Sequence, residues 1–413
     1  MKKSFCIIWV LVLSNALGVF ATNTGLVFKT LSIIDFKGSN FGEQLIKAVA
    51  VLPASGGKID CRDLKGTQFI NSQILIQKNN VTILLGDCTV ILDGVKPTQV
   101  PPGAVLLIRG NNFNLKGIRD KTFLKMARGC QASAIALYQN IACKIQDIVF
   151  DGNKYNVEAQ KDDTWSSAIT MICFSEKQMQ LSKHKFNHLE IKNFVHYGLL
   201  TYGNTCSGNL VKNCKIYGNG NVTDKESTGS GICINKNSSN NIIKRCEVFD
   251  NKNSGFFLCN AGGKESSYNN KILKNKIYGN GVNGIWIIEQ SNFSSSPNTG
   301  NKNVTIKNNS ILNNSESGIR IGTYDNVGLI ENVLIKRNNI SNNLLYGIIL
   351  QSTLKSASTT RNISIINNTI SNNNLIGIFN SENVEGTIIK NNILFNNKKW
   401  LVDSGKKSLI IKR

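Results

Sequence analysis

The chain has 413 residues, with 48 lysines and arginines against 26 aspartates and glutamates, a net charge of +22, and 41% hydrophobic and 18% charged residues. That apolar fraction excludes a disordered chain, and after the first twenty or so residues no apolar run is long enough to span a bilayer. Thirty-five glycines against five prolines, with Asn throughout, predict many tight turns and few helices.

The first element is a targeting segment. Lys2 and Lys3 precede an apolar stretch from Cys6 to Leu13, and Val19-Phe20-Ala21 is a small-residue cleavage pattern. Residues 1–21 therefore read as a secretory signal peptide cut after Ala21, with Gly18 a weaker site and a retained anchor the alternative. The mature chain is expected to be exported: secreted, periplasmic or on the cell surface. Next comes a helix over residues 40 to 52. Asn40 and Glu43 have the spacing of a capping box, Phe41, Leu45, Ile46 and Val49 share a face, and Pro53 stops it. Ile59, Ile74–Ile76, Val81–Leu85 and Val90–Leu92 read as the first strands. Ten cysteines from Cys61 to Cys259 follow the leader without a CxxC pair; their role is structural, as bridges or as buried thiols.

The most informative feature is an internal repeat. Ser254-Gly255-Phe256, Asn283-Gly284-Ile285, Ser317-Gly318-Ile319, Tyr346-Gly347-Ile348 and Ile376-Gly377-Ile378 each place the Gly seven residues after an apolar anchor. The anchors run Leu189, Ile216, Val248, Ile277, Ile311, Ile340, Ile370 and Ile393, a mean spacing of about 29 residues, within the range of stacked solenoids. Two residues before them stand Asn187, Cys214, Cys246, Asn275, Asn309, Asn338, Asn368 and Asn391. Stacked about 4.8 Å apart, these side-chain amides would bond one another in a ladder. Strands such as Gly318-Ile319-Arg320-Ile321 alternate inward Ile with an outward residue. Helical repeats are excluded by the recurring Gly and Asn-Asn pairs. Leu401 to Ile411 supply the last strands, and the helix over 40–52 is the polar-faced lid that an open solenoid end requires.

With these repeats, and with Gly56-Gly57-Lys58-Ile59 following the lid helix, the chain resembles the right-handed parallel β-helix proteins of the pectate-lyase-like superfamily over residues 30 to 400. The resemblance implies an all-β fold: a cap helix and first coils over 22–100, the β-helix over 101–400 and a C-terminal strand or cap over 401–413. That group includes polysaccharide lyases, uronan epimerases, polygalacturonase-type glycoside hydrolases, phage tailspikes and proteins without known catalysis. The Asn-Thr-Asp, Asp-Asp and Gly-His-Gly set of the polygalacturonases is missing, since Asp162-Asp163 has no matching partners.

A groove follows from register. The outward position two after the repeat Gly holds Leu200, Cys233, Phe257, Trp286, Arg320, Ile349 and Phe379. Aromatic rings beside Arg suit a sugar acid, because rings stack on sugar faces and Arg pairs with carboxylates in a fork; loops folded over this face are the alternative. Five residues after the Gly come Lys236, Asn260 and Glu289, with Tyr324 and Asp325 on the loop after Arg320. In a lyase or epimerase, a cation or Ca²⁺ neutralises the uronate carboxylate and a base removes the adjacent proton. Lys236 and Arg320 are the candidate bases, three coils or roughly 14 Å apart. In a hydrolase, Glu289 and Asp325 would be acid and base. A solvated loop rim is the structural alternative.

Asp151 and Asp250 read as turn residues. His184, His188 and His196 lack carboxylates at ligand spacing and are not read as a metal site. The positive charge is spread through the repeats, which favours an acidic polysaccharide or anionic cell-surface glycan as partner; export and the lack of a binding module argue against nucleic acid. The expectation is an exported carbohydrate-active protein on an acidic polysaccharide, lyase- or epimerase-like, with Phe257, Trp286, Tyr324 and Asn260 binding substrate. The alternatives are a glycoside hydrolase and a non-catalytic, adhesin-like glycan-binding protein.

Overall fold

A computed structural model describes residues 29–94, 103–130, 132–156, 166–173, 182–203, 206–221, 229–260, 265–289, 298–323, 328–352 and 358–411. The chain winds into a parallel β-helix. One strand per coil enters a twelve-stranded sheet that begins with Ile74–Ile76 and Ala104–Ile108, passes through Ile285–Glu289 and Ser317–Thr323, and ends with Ile376–Asn380 and Lys399–Asp403. The other strands of each coil join a larger parallel sheet that forms the remaining sides. The predicted leader and cleavage site lie outside the described residues, and no described helix is long and apolar enough to cross a membrane.

The repeat anchors build the core. Ile216, Val248, Ile277, Ile311, Ile340 and Ile370 stack in register, each fully buried. The two ends of the predicted column shift. Ile191, not Leu189, pairs with Ile216, and Leu394, not Ile393, pairs with Ile370. At the first end Leu189 and Ile191 are both buried in the core, Leu189 pairing with Ile148, whereas at the last Ile393 and Leu394 compete for one inward position. The left-handed turn at Asn391 decides between these two, leaving Ile393 62% exposed.

The turn also explains the Asn-Asn pairs. Asn308, Asn342, Asn367 and Asn372 have φ near +55°, the left-handed conformation that Asn tolerates better than most residues. The following residue of each pair points inward and bonds its counterpart on the next coil. The predicted ladder runs from Asn275 through Asn309, Asn338 and Asn368, each Nδ2 donating to the next Oδ1 at 3.0–3.1 Å. It ends on Asn392 at 3.0 Å, because Asn391 takes the left-handed turn. A second ladder, which the sequence reading missed, lies three residues after the anchors: Asn219, Asn251, Asn280, Asn314, Asn343, Asn373 and Asn397, with steps of 2.9–3.0 Å.

The repeat Gly answers to close stacking rather than to an unusual turn. A Cβ on Gly318 would stand 2.5 Å from Ile340 Cγ2 and 2.8 Å from the Gly347 carbonyl of the next coil.

The lid helix spans Phe41–Val51, and Asn40 Oδ1 accepts from the Glu43 N–H at 3.1 Å. The reciprocal half of the capping box shifts by one residue, since the Glu43 carboxylate accepts from the Ser39 N–H and Oγ–H. Phe41, Leu45, Ala48 and Val49 are buried, while Ile46, placed on the apolar face by the sequence, is 42% exposed. All ten cysteines are buried thiols, which decides between the two structural roles.

Candidate functional site

The predicted outward column is in register: Leu200, Cys233, Phe257, Trp286, Arg320, Ile349 and Phe379 pair in that order. It is not an open groove along its length. Leu200, Cys233, Phe257 and Ile349 are buried, and Tyr197, Leu200, Cys233, Phe257, Cys259 and Ile288 form an apolar cluster separate from the main core. Phe257 therefore offers no face to a sugar; its ring packs edge-on against Trp286 at 5.3 Å. Trp286, Arg320 and Phe379 stay partly exposed, with the Arg320 guanidinium 5.3 Å from the Trp286 ring centre and 3.5 Å from Glu316.

The remaining predicted residues do not gather into one site. Asn260 is a buried corner residue, not a substrate contact: its Oδ1 accepts from the Asn237 N–H and the Ser267 hydroxyl, and its Nδ2 donates to the Glu265 carbonyl. Lys236 lies over the Tyr202 ring at 4.9 Å. Tyr324 and Asp325 fall outside the described residues. Glu289 is 1% exposed rather than on a solvated rim, and among the described residues neither carboxylate oxygen has a hydrogen-bond partner. Burial pushes its carboxyl up to about 9, so it is protonated at neutral pH. Gly328 makes the room for it, since a Cβ there would stand 2.0 Å from Glu289 Cγ.

A different surface, on the larger sheet, combines charge, aromatic rings and concavity. The residue before each anchor alternates in sign from coil to coil, Glu190, Lys215, Glu247, Lys276, which avoids stacking like charges. The residue after each anchor gives Tyr217, Phe249 and Tyr278, stacked at 4.7 and 4.8 Å with their planes within 7°. The Tyr217 hydroxyl donates to Glu190 at 2.7 Å and that of Tyr278 to Glu247 at 2.8 Å; Lys192 and Lys276 pair with the same two carboxylates. Lys215 stands 5.0 Å from the Tyr217 ring and 5.5 Å from that of Phe249.

Beside this ladder runs a groove of about 580 Å³, lined by Arg119, Asp120, His188, Asn213, Arg245 and Lys274 together with Glu190, Lys215, Glu247 and Lys276. Arg245 and Lys274 occupy the left-handed turn, at φ 55° and 57°, that Asn213 and Asn308 occupy on flanking coils. Both are exposed, and among the described residues neither has an ion-pair partner.

The acids and tyrosines of the ladder perturb one another. Burial would raise the Glu190 and Glu247 carboxyls, but the tyrosine and lysine hydrogen bonds together outweigh it and hold both below the usual range. Burial and those carboxylates push Tyr217 and Tyr278 up, so both stay protonated. Such a groove has cations to bind with, and its Glu190 and Glu247 carboxylates are already engaged by tyrosine and lysine. The described residues hold no group of three His, Cys, Asp or Glu at metal-binding proximity. The histidines separate: His184 Nδ1 accepts from the Cys143 N–H at 3.1 Å, His188 lies 3.3 Å from Asp147, and His196 packs against Tyr197.

The family described as "Right handed beta helix region" matches residues 133–326. The fold is a right-handed parallel β-helix. Among solved structures, the β-helix is similar to the A-module of the Azotobacter vinelandii mannuronan C-5 epimerase AlgE6, with a TM-score of 0.65 at 17% identity over 92% of this chain and 97% of that one. The Dettilon tailspike protein gives 0.60 at 15% identity over 90% and 68%. The Streptococcus pneumoniae surface protein and adhesin PfbA gives 0.57 at 14% identity over 93% and 100%. At these identities the likeness concerns the fold. No curated protein matches the sequence.

The groove of the β-helix had a sequence signal that the reading passed over. Ile216-Tyr217-Gly218, Val248-Phe249-Asp250 and Ile277-Tyr278-Gly279 repeat an aromatic residue after the anchor, and Arg245-Cys246 and Lys274-Asn275 replace the first residue of an Asn-Asn pair with a cation.

Proposed function

We propose that the protein is an exported β-helix that binds an acidic polysaccharide in the groove between the Glu190–Lys276 charge ladder and the Arg245–Lys274 turn column. The observation that carries this reading is the placing of Arg and Lys in left-handed turns, where Asn or Gly is conformationally cheaper by roughly 1 kcal/mol. The coil gains nothing from them. Among the described residues their charges have no ion-pair partner, and the Glu190 and Glu247 carboxylates of the groove are already bonded to tyrosine and lysine, leaving the cations to a ligand's carboxylates. The named substrate of the epimerases, mannuronan, and the adhesin's surface location support the same class of partner and an exterior location.

The test is polyuronate binding as a function of salt. Wild type is expected to bind alginate or pectate with an affinity that falls as NaCl rises. Arg245→Asn with Lys274→Asn is expected to weaken binding roughly tenfold, at about 0.5–1 kcal/mol per exposed ionic contact, while raising thermal stability. Unchanged affinity in the double variant would overturn the assignment. A second reading, catalysis at the Trp286–Arg320 face by β-elimination, epimerisation or hydrolysis, is favoured by the partly exposed Arg320 guanidinium beside the Trp286 ring. Absorbance near 232 nm with and without Ca²⁺ and product analysis test it.

A further inference from the structure

One corner of the solenoid carries cations well beyond the groove. The strand position just before the left-handed turn holds Lys212, Lys244, Leu273, Lys307 and Lys336 on successive coils, directly paired in that order. Where Leu273 interrupts the lysines, the turn residue beside it is Lys274. Every coil of the run therefore presents a cation at this corner, the coils being about 4.8 Å apart. Arg245 and Arg337, in the turn itself, double the charge on two of them. Neither the strand position nor the turn position holds an Asp or Glu from Lys212 to Lys390.

Stacking Lys directly on Lys costs stability, and the chain avoids it elsewhere. Glu190, Lys215, Glu247 and Lys276 alternate in sign. Lys302 and Arg361 share Glu331 on another corner, whereas among the described residues Lys212, Lys244, Lys307 and Lys336 have no ion-pair partner. The far side of the turn changes along the same run. Its charge ladder ends at Lys276, and the next coils place Ser310, Asn339 and Thr369 in line with it, all at least partly exposed. Past the groove, the surface offers cations along one edge and short hydroxyl and amide groups along the other.

We propose that this corner is a rail for a linear polyuronate with a carboxylate on every sugar, lying parallel to the solenoid axis. The inference rests on the polysaccharide reading above and names the class of polymer. A sugar ring in an extended chain advances by about the height of one coil, so one carboxylate per ring matches the one or two cations per coil from Lys212 to Lys336. Flexible lysine stems reach carboxylates on either edge of such a ribbon. Ring hydroxyls are left to Ser310 and Asn339. A polymer charged only on alternate sugars supplies half that charge density and leaves cations of the rail unpaired.

The test is calorimetric binding of the full chain to polygalacturonate trimers and octamers, and to a hyaluronan oligomer with as many carboxylates as the octamer. A trimer fills the groove, while an octamer also reaches Lys307 and Lys336. The octamer is expected to bind more tightly than both the trimer and the hyaluronan oligomer. Lys307→Gln combined with Lys336→Gln is expected to leave the trimer unchanged and to weaken the octamer roughly tenfold. The same variant is expected to have a raised thermal midpoint through relief of the Lys–Lys repulsion. An octamer unaffected by the double substitution, or a trimer weakened as much as the octamer, would overturn the rail while leaving the groove assignment in place. Hyaluronan bound as tightly as the octamer would overturn the class of polymer. Failure of every uronate to bind would overturn the groove reading and the rail together.

Discussion

Replacing Glu289 with Gln isolates the energetics of one buried carboxyl. In the native chain this group titrates near 9 against an ordinary value of 4.5, with burial as the cause. A raised carboxyl binds its proton more tightly in the folded state, so the stability it contributes is complete below about pH 4.5 and is lost as pH rises toward 9. Each pH unit in that window costs about 1.4 kcal/mol. Relative to acid, the native state is weakened by about 3 kcal/mol at pH 7 and about 6 kcal/mol at pH 9. Gln keeps the shape and stays neutral at every pH, and neither oxygen of Glu289 has a partner among the described residues for the substitution to break. Urea unfolding of both proteins at pH 5, 7 and 9 is the assay. Other titrating groups cancel in the difference, which is expected to grow in favour of the Gln variant by several kcal/mol from pH 5 to pH 9. A difference that stays constant with pH would show that the carboxyl is solvated or paired in solution, and would refute the argument.

Two further outcomes concern the coil itself. Asn309→Ala removes an amide that accepts from Asn275 and donates to both Ile272 and Asn338, and is expected to cost about 3 kcal/mol in unfolding experiments through stranded buried polar groups. Asn308→Ala, one residue earlier in the left-handed turn, is expected to cost only about 1 kcal/mol. The ten cysteines should resist alkylation by iodoacetamide at pH 8 in the native protein and all react after denaturation, as counted by mass spectrometry; burial pushes Cys143, for example, up to about 12.

Most of the fold was legible because in-register stacking repeats the same demand on every coil. An inward Ile, a Gly under the next coil's anchor and an Asn in the ladder recur at fixed offsets, and seven-residue spacing from anchor to Gly exposes all three. Legibility failed where two residues could meet one demand. Leu189 and Ile191 both point inward on a regular strand, and Ile393 and Leu394 differ only by which Asn of the preceding pair turns left-handed. The candidate site was less readable for a different reason. Alternation assigns Phe257 and Trp286 to the same outward face, yet one is buried and the other partly open, because sequence period reports direction and not what lies above a surface. Glu289 followed the same logic: its position at the strand end was right, while its enclosure beside Gly328 depends on the return strand.

Function in such a stack should be sought where the sequence departs from what the coil needs. The left-handed column after the lysine-rich strands runs Asn213, Arg245, Lys274, Asn308, Arg337, Asn367 and Asn391, so three cations stand where Asn serves as well or better. Arg245 and Lys274 line the groove, while Arg337 is exposed two coils beyond Lys274, roughly 10 Å at sheet spacing. If an acidic chain lies along the solenoid axis, Arg337 meets only ligands long enough to pass Asn308. Arg337→Asn is therefore expected to leave the affinity for a short uronate oligomer unchanged and to weaken binding of the polymer several-fold, with a shallower salt dependence. Equal weakening for both lengths would place Arg337 in the same contact as Arg245. No weakening for either would end the glycan path at Lys274 and confine binding to the groove.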